Sequence, residues 1–494
     1  MVFPVIGGDG KPTGYEIDNS VRFSGSRELT FTPGQDGTKT TFTISCWAKK
    51  CENAGERQVI FGAQGGSDYL RWNDDETLNF HIVDNSATRS YTSFAKFRDP
   101  SAWYHIVAIW NTTDGTNANR MQVYVNGELV TPDSQPTISQ NAVSTHMNDS
   151  SQVHHIAGEV NPANDFHFAG YLAEFHFIDG SAKAPTDFGE TNDNGVWIPK
   201  KYAGSYGTNG FFLEFKQTGT SQNASGIGAD TSGNDNHFAV TDLEAKDVVT
   251  DTPTNNFATL NPLAGNSQLT ANGYFFGNTR VNANVVGVGN SNYLMSISSI
   301  GVTSGKWYAE FKPTGNLYSS GTDSSSLIGV GSGIYKAGDG NHNTAIGGFT
   351  HWWLDHDDDR VIVDGNVSNT NMNSGTHVQA NDIIGVYLNC DTTMPTVTFQ
   401  KNGAALGGAT NSPYNVRRTG SYNIGDNNPI FFMPVVRYGD GSNWGRFECN
   451  FGNPPNLPSS GNTDANGYGN FEYSPTLGGV EYYALCTKNL AEYG

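Results

Sequence analysis

The densest run of residues able to do chemistry is Asp355-His356-Asp357-Asp358-Asp359. Asp355, Asp357 and Asp359 alternate as the carboxylates of a calcium loop do, and hard oxygen ligands at that spacing suit Ca2+. The pattern then breaks. Arg360 stands where the turn glycine belongs, and Asn366 where the bidentate glutamate belongs. Two readings are open: a calcium site of another kind, completed by Asp364, or a solvated acidic hairpin flanked by Trp352 and Trp353. Asp230 and Asp235 form a second metal candidate in a Gly-rich turn, although Asx residues build such turns without an ion. Calcium is the one cofactor these patterns suggest.

A different chemistry is offered by Trp352 and Trp353 with Tyr335, His351 and Asn341. Sugar rings stack on aromatic faces while amides read hydroxyls. One tryptophan of an adjacent pair on a strand must point away from the core. His154 and His155 are also adjacent, so on a strand they face opposite ways and cannot readily share a metal ion. They read as ordinary strand histidines, as do His146, His167 and His176. No G-x-S-x-G, H-E-x-x-H, P-loop or E-x-D-x-x-E run is present, and these are the motifs that would mark hydrolase, metalloprotease or nucleotide chemistry. The expectation is a protein that is not an enzyme. A polysaccharide depolymerase remains an alternative class, because carboxylate geometry cannot be read from spacing.

The elements that must position these residues are strands. Period-2 alternation recurs along the chain, as in Thr41-Phe42-Thr43-Ile44-Ser45-Cys46-Trp47-Ala48 and Trp103-Tyr104-His105-Ile106-Val107-Ala108-Ile109-Trp110, and helical periodicity is almost missing. Met121–Val125 runs into Asn126-Gly127, and Thr396–Gln400 leads to Asn402-Gly403; Asn-Gly after an apolar run signals a tight hairpin. Hydrophobic residues make up only 36% and glycine reaches 59 residues, but aromatics reach 12%. Disordered chains lack aromatics, so here rings must supply most of the buried area. At 494 residues the chain is too long for one core. The expected fold class is all-β, with two tandem antiparallel β-sandwiches.

A net charge of −20 repels phosphate backbones and argues against nucleic-acid partners. The N-terminus lacks a basic n-region and a long apolar h-region, and no stretch reaches transmembrane length. Five cysteines in no repeating spacing read as free, mostly buried thiols of a protein made in a reducing compartment. Residues 1–17 read as an N-terminal docking arm, with Phe3, Val5, Ile6 and Tyr15 as contact residues; a frayed terminus or a first strand would explain them equally. Residues 18–248 and 263–494 read as the two sandwiches. Asp251-Thr252-Pro253-Thr254-Asn255-Asn256 lies in the expected linker, 249–262.

Trp103–Val107 followed by Met121–Gly127 resembles the laminin-G-like, concanavalin-type jelly roll. Gly305–Phe311, Asp382–Val386, Val397–Gly403 and Phe447–Gly452 are similar to SPRY domains. A more specific resemblance is to structural proteins of marine tailed phages. Tyr15–Phe23 is similar to their opening, Asp230–Phe238 to their Asp-Ser-Ser-Gly-Asn motif, Asp251–Leu263 to their inter-domain signature, and Tyr483–Leu490 to their ends. These motifs span most of the chain. The resemblance implies a virion surface protein of tail-fibre, head-fibre or decoration type, made in the host cytoplasm and anchored to other virion proteins. It implies a trimer, with sandwich loops binding a host-surface glycan or protein. A purely structural capsid decoration or cement role is the alternative.

Overall fold

The computed structural model describes residues 14–51, 56–63, 67–85, 87–158, 166–264, 273–282, 293–314, 326–331, 349–354, 360–363, 366–367, 378–405, 414–416, 429–437 and 446–494. Two compact units meet in sequence between Thr254 and Asn255, and the second runs to Gly494.

The strands of the first unit are β1 (Ser20–Phe23), β2 (Glu28–Phe31), β3 (Thr41–Lys50), β4 (Gln58–Ala63), β5 (Asp68–Trp72), β6 (Thr77–Asp84), β7 (Ala87–Lys96), β8 (Tyr104–Asn111), β9 (Met121–Val125), β10 (Glu128–Leu129), β11 (His154–Ile156), β12 (Gly170–Asp179), β13 (Gly189–Thr191), β14 (Trp197–Pro199), β15 (Phe211–Leu213), β16 (Ala239–Thr241) and β17 (Val248–Val249). Among the described residues they form two large antiparallel sheets. One has the order β10-β9-β8-β3-β12-β1-β17, with β15 added to β12; the other has the order β16-β2-β11-β4-β5-β6-β7. Alternation along each strand sends one set of side chains into a shared core. Leu29, Phe61, Leu70 and Phe80 enter it from the second sheet, and Ile44, Ile106, Leu172 and Phe175 from the first. Rings dominate it. Phe211 packs against Phe238 at 4.7 Å, Phe177 at 5.6 Å, and Phe175 and Phe61 at 6.1 Å between centroids.

The outer face of the first sheet is covered too. Trp47, Cys51, Trp103, Tyr171 and Val249 make one apolar cluster there, and Val107, Ile109, Phe188 and Tyr202 make another. Trp197 lies over the β9–β10 turn. That turn is Asn126-Gly127, with φ of 50° and 83°, as Asn-Gly predicts. A Cβ on Gly127 would fall 2.5 Å from the Trp197 ring, so both the turn and the covering indole require glycine. Beneath this layer Lys49 and Asp251 form an ion pair at 2.9 Å with both side chains fully buried. The Trp103 indole N–H donates to the other carboxylate oxygen at 3.2 Å, and the Ser20 hydroxyl donates to the Asp251 carbonyl at 2.6 Å.

The second unit contains β18 (Tyr274–Phe275), β19 (Arg280–Asn282), β20 (Tyr293–Met295), β21 (Lys306–Pro313), β22 (Ser326–Gly331), β23 (Phe349–Leu354), β24 (Arg360–Val363), β25 (Asn366–Val367), β26 (Ile384–Asn389), β27 (Thr396–Lys401), β28 (Ala404–Ala405), β29 (Tyr414–Asn415), β30 (Phe431–Arg437) and β31 (Arg446–Asn450). Their orders are β18-β19-β31-β21-β26-β27-β28, with β29 on β27, and β20-β30-β22-β23-β24-β25. Trp307, Phe311, Val386 and Phe447 from one sheet meet Ile328, Val330 and Phe432 from the other. A short helix, α1 (Thr487–Tyr493), closes the unit. The all-β, tandem-sandwich reading is therefore the observed architecture. All five cysteines are free and buried.

The division falls inside the expected stretch 249–262, between Thr254 and Asn255, but that stretch is packed rather than a free tether. Val248-Val249 pairs with β1, and Asp251 is fully buried in the first unit; Phe257, Ala258 and Leu260 are equally buried in the second. Nor is 1–17 wholly separate, because Ile17 exchanges hydrogen bonds with the Thr254 hydroxyl and is 4% exposed. Polar composition around Pro253 resembles that of a tether because its carboxylate and hydroxyls are satisfied internally.

Removing one partner of a buried ion pair leaves an uncompensated charge, at a cost of about 3–5 kcal/mol. Lys49→Met or Asp251→Leu is expected to lower the denaturant-unfolding free energy of the first unit by that amount, while the double variant recovers most of it. Two single variants with wild-type stability would contradict this role for the pair.

Candidate functional site

In the first unit both faces of the first sheet are packed, and among the described residues the outer face of the seven-stranded sheet presents a broad set of side chains. Phe31, Ile156, Phe61, Leu70, Phe80 and Tyr91 point into the core, so their strand neighbours point outward. Cross-strand register aligns Thr30, His155, Gly62, Tyr69, His81 and Ser90 in one row. Arg71, Asn79 and Thr92 form the next.

Within the first row the His81 and Tyr69 rings are stacked at 4.8 Å and 9°. The Arg71 guanidinium carbon lies 4.0 Å from the Tyr69 ring centre, a cation–π distance. Burial holds the His81 imidazole below its usual pKa, and its Nδ1–H donates to the Ser67 carbonyl at 2.8 Å. Asn79, 6% exposed, donates through Nδ2 to the Ser90 hydroxyl at 2.9 Å and to the Thr92 hydroxyl. Among the described residues its Oδ1 has no partner, and neither has His155 Nε2; the other ring nitrogen of His155 lies 2.9 Å from Glu28 Oε2. Between His155 and Tyr69, Gly62 projects no side chain. Phe166 borders the surface, with the Arg57 and Arg71 guanidiniums 5.5 and 6.0 Å from its ring centre. Buried polar atoms ordinarily have partners. A half-buried face with stacked rings, amides, hydroxyls and two unpaired polar atoms is suited to a ligand rich in hydroxyl groups.

Residues 23–186, which carry this face, match a family model described as Laminin_G_3, concanavalin A-like lectin/glucanases superfamily. The concanavalin-like reading of the first unit therefore holds. No curated protein sequence matches the chain. Among solved structures, the chain is similar to a native heptameric SAP-like pentraxin from Limulus polyphemus, at 18% identity and a TM-score of 0.26 over 34% of this chain and 78% of that one. It is similar to the SPRY domain of human HERC1, at 16% identity and 0.26 over 38% and 96%. A putative carbohydrate binding protein from Bacteroides ovatus aligns at 14% identity and 0.33 over 46% and 59%.

Tyr335, Asn341, Asp355, Asp357, Asp359, Phe3, Val5 and Ile6 fall outside the described residues. His351, Trp352 and Trp353 are on β23, opposite Gly329, Ile328 and Leu327 of β22. Tyr15, expected as a docking contact, instead packs on its own laminin-G-like unit, its hydroxyl donating to Glu174 Oε1 at 3.0 Å.

The structure does not bring Asp230 and Asp235 together as a pair of metal ligands. The Asp230 carboxylate accepts from the Phe212 and Ser232 amides at 2.8 Å, and from the Ser232 hydroxyl and Asn236 amide at 2.9 Å. The Asp235 side chain is 88% exposed and 3.7 Å from His237. The local reason is that the turn's own N–H groups saturate Asp230. Among the described residues, no group of three His, Cys, Asp or Glu side chains could hold a metal ion.

Of the adjacent histidines, His154 faces inward against Phe61 at 5.9 Å, whereas His155 faces out, as alternation requires. Sequence reasoning does not find the rows of the sheet face. Their signal is present in Tyr69-x-Arg71 and Asn79-x-His81, polar and aromatic residues alternating with core ones, but only the strand order places them side by side.

Burial pushes the pKa of His154 down to about 4 and that of His105 down to about 3; the latter accepts from the Trp197 indole N–H at 3.1 Å. Both are thus neutral in the fold near pH 5, while the unfolded chain takes up their protons below about pH 6.5. Stability is full above that pH and falls as pH drops, by roughly 1.4 kcal/mol per pH unit for each histidine. Urea unfolding between pH 6.5 and 5, ahead of most carboxylate titration, is expected to show this slope, and His154→Gln to remove about half of it. A flat profile would count against two neutral buried imidazoles.

Proposed function

We propose that this chain is a non-catalytic glycan-binding protein displayed on the surface of a bacteriophage particle. The observation that carries the glycan reading is the outer face of the seven-stranded sheet, with its stacked Tyr69 and His81 and its unpaired Asn79 Oδ1. Saccharides offer a C–H face to rings and hydroxyls to such acceptors. The match of residues 23–186 to a lectin and glucanase superfamily supports it. The Glu28 carboxylate at this face is engaged with His155, whereas glycoside hydrolysis ordinarily uses two carboxyl groups about 5–9.5 Å apart.

The virion setting rests on the sequence motifs shared with marine phage structural proteins, among them Asp230–Phe238 and Tyr483–Leu490. A strongly acidic surface suits a protein kept soluble at high copy number. In this reading the chain is made in the host cytoplasm, assembles as a trimer on other virion proteins, and carries a SPRY-like second unit as a further recognition module.

A glycan array probed with the full chain is expected to give saccharide binding. Asn79→Ala and His81→Ala should each weaken it at least about tenfold, roughly 1.4 kcal/mol, with little change in melting temperature. Antibody against the chain should decorate intact particles. An array with no bound saccharide would overturn the glycan reading, and unlabelled particles would overturn the virion setting.

A further inference from the structure

Phe94 is the most exposed large hydrophobic side chain among the described residues, at 75%. It lies on β7, at the edge of the seven-stranded sheet, two residues beyond Thr92, whose hydroxyl accepts from Asn79. The edge is irregular just there. Asn79 pairs with Thr92 and Thr77 with Lys96, so β7 passes through Ser93, Phe94 and Ala95 where β6 has Leu78 alone. Bulges of this kind at sheet edges re-aim side chains and often border binding sites. The bulge is also pinned. The Phe94 N–H donates to the Thr131 carbonyl at 2.9 Å, and the Asp133 N–H to the Thr92 carbonyl at 2.8 Å. The buried Ser93 hydroxyl accepts from the Leu78 N–H at 2.8 Å and donates to the Ala95 carbonyl at 2.7 Å. A backbone held on both sides thus keeps an apolar ring in water, an unfavourable exposure that a ligand would relieve.

Resting on the proposal that this face is a glycan site, we infer that Phe94 is its outer stacking platform, and that the ligand is an oligosaccharide of at least three sugar units rather than a single sugar. The Tyr69 ring is already in contact with His81 and Arg71, whereas most of the Phe94 surface is open to a ligand. A ring without a hydroxyl takes the C–H face of a sugar. Phe94 lies level with Leu78 and His81 is three residues further along β6, a separation of roughly 10 Å along the strand. That span exceeds one sugar ring. With one ring on Phe94 and another beside His81, a third fits between them. The surface between them is polar, with Asn79 opposite Thr92 and Ser90 opposite His81. The exposed Ser90 hydroxyl accepts from Asn79 Nδ2 at 2.9 Å, and Thr92 Oγ1 is further off at 3.4 Å, so the Ser90 O–H can serve a sugar hydroxyl. Ser90, Thr92 and Lys96 around the exposed ring are polar, which suits a saccharide better than an apolar protein surface.

The test titrates the full chain by calorimetry with glucose, mannose and galactose and with their linear oligomers up to the hexasaccharide. In the series that binds, the trisaccharide is expected to bind at least about tenfold tighter than the monosaccharide, with little gain beyond it. Phe94→Ala should remove that gain and leave the weak monosaccharide binding as it was, while Phe94→Trp, with a larger ring, should keep or increase it. Because the ring is exposed, neither variant should change the melting temperature, which keeps a binding loss separate from misfolding. A trisaccharide that binds no tighter than the monosaccharide, or binding lost in Asn79→Ala but untouched by Phe94→Ala, would overturn the platform and leave the glycan site standing. Binding of none of these sugars, or binding unaffected by either alanine variant, would overturn the platform and the site together.

Discussion

Aromatic rings bridging two sheets are the constraint on which this protein rests. Facing sheets pack about 10 Å apart, and a chain with so many glycines and short polar residues has few aliphatic side chains to fill the gap. Phenylalanine is the efficient answer, because each aromatic side chain buries roughly 150–250 Å2. In the first unit Phe211 sits among five other phenylalanines, with both layers contributing. In the second, Phe311, Phe432 and Phe451 play the same part. Once rings carry the core, outward positions are free to be almost anything, and that freedom allows one sheet face to hold a polar and aromatic surface.

Carboxylates do the complementary work of pinning irregular segments. Asp68 accepts from the Val83 and Met147 amides and the Ser144 hydroxyl. Asp464 accepts from the Asn466, Tyr468 and Ala484 amides and from Asn489. Glu310, on the face of β21 away from the core, accepts from the Tyr308 hydroxyl, Asn450 and the amides of Glu472 and Tyr473. Burial pushes its pKa up, and those donors pull it back. A carboxylate surrounded by N–H groups replaces the hydrogen bonds that a covering loop would otherwise lack. Much of the acidity that looks like ligand chemistry in the sequence is thus structural.

The sandwich class and most long strands are legible in the sequence because period-2 alternation is local: Thr41–Ala48 and Tyr104–Trp110 can be read without knowing their neighbours. The Asn126-Gly127 turn is legible for the same reason. The division between units is legible as well, since it falls between Thr254 and Asn255 inside the polar stretch Asp251–Asn256; what is hidden is that this stretch is packed, because only its partners, the Lys49 ammonium and the Ile17 backbone, show Asp251 and Thr254 to be engaged. The candidate site is hidden for a related reason. Tyr69, His81 and Asn79 are ordinary singly and become a surface only through a strand order that places β5 beside β6 and β6 beside β7. Asp230 misleads in the opposite direction, since a turn built on Asx side chains and one built on calcium use the same letters.

The burial of both sides of Pro253 bears on how the polypeptide can be divided. A fragment stopped at Val248, where the alternating pattern fades, would omit Asp251 and Thr254. It would strand the Lys49 ammonium against indole and phenol rings and strip the Ile17 backbone of the Thr254 hydroxyl. Nor does a fragment begun at Leu263 keep its interior, since it forfeits Phe257, Ala258 and Leu260. The cut that respects both interiors falls on a single peptide bond, the one joining Thr254 to Asn255.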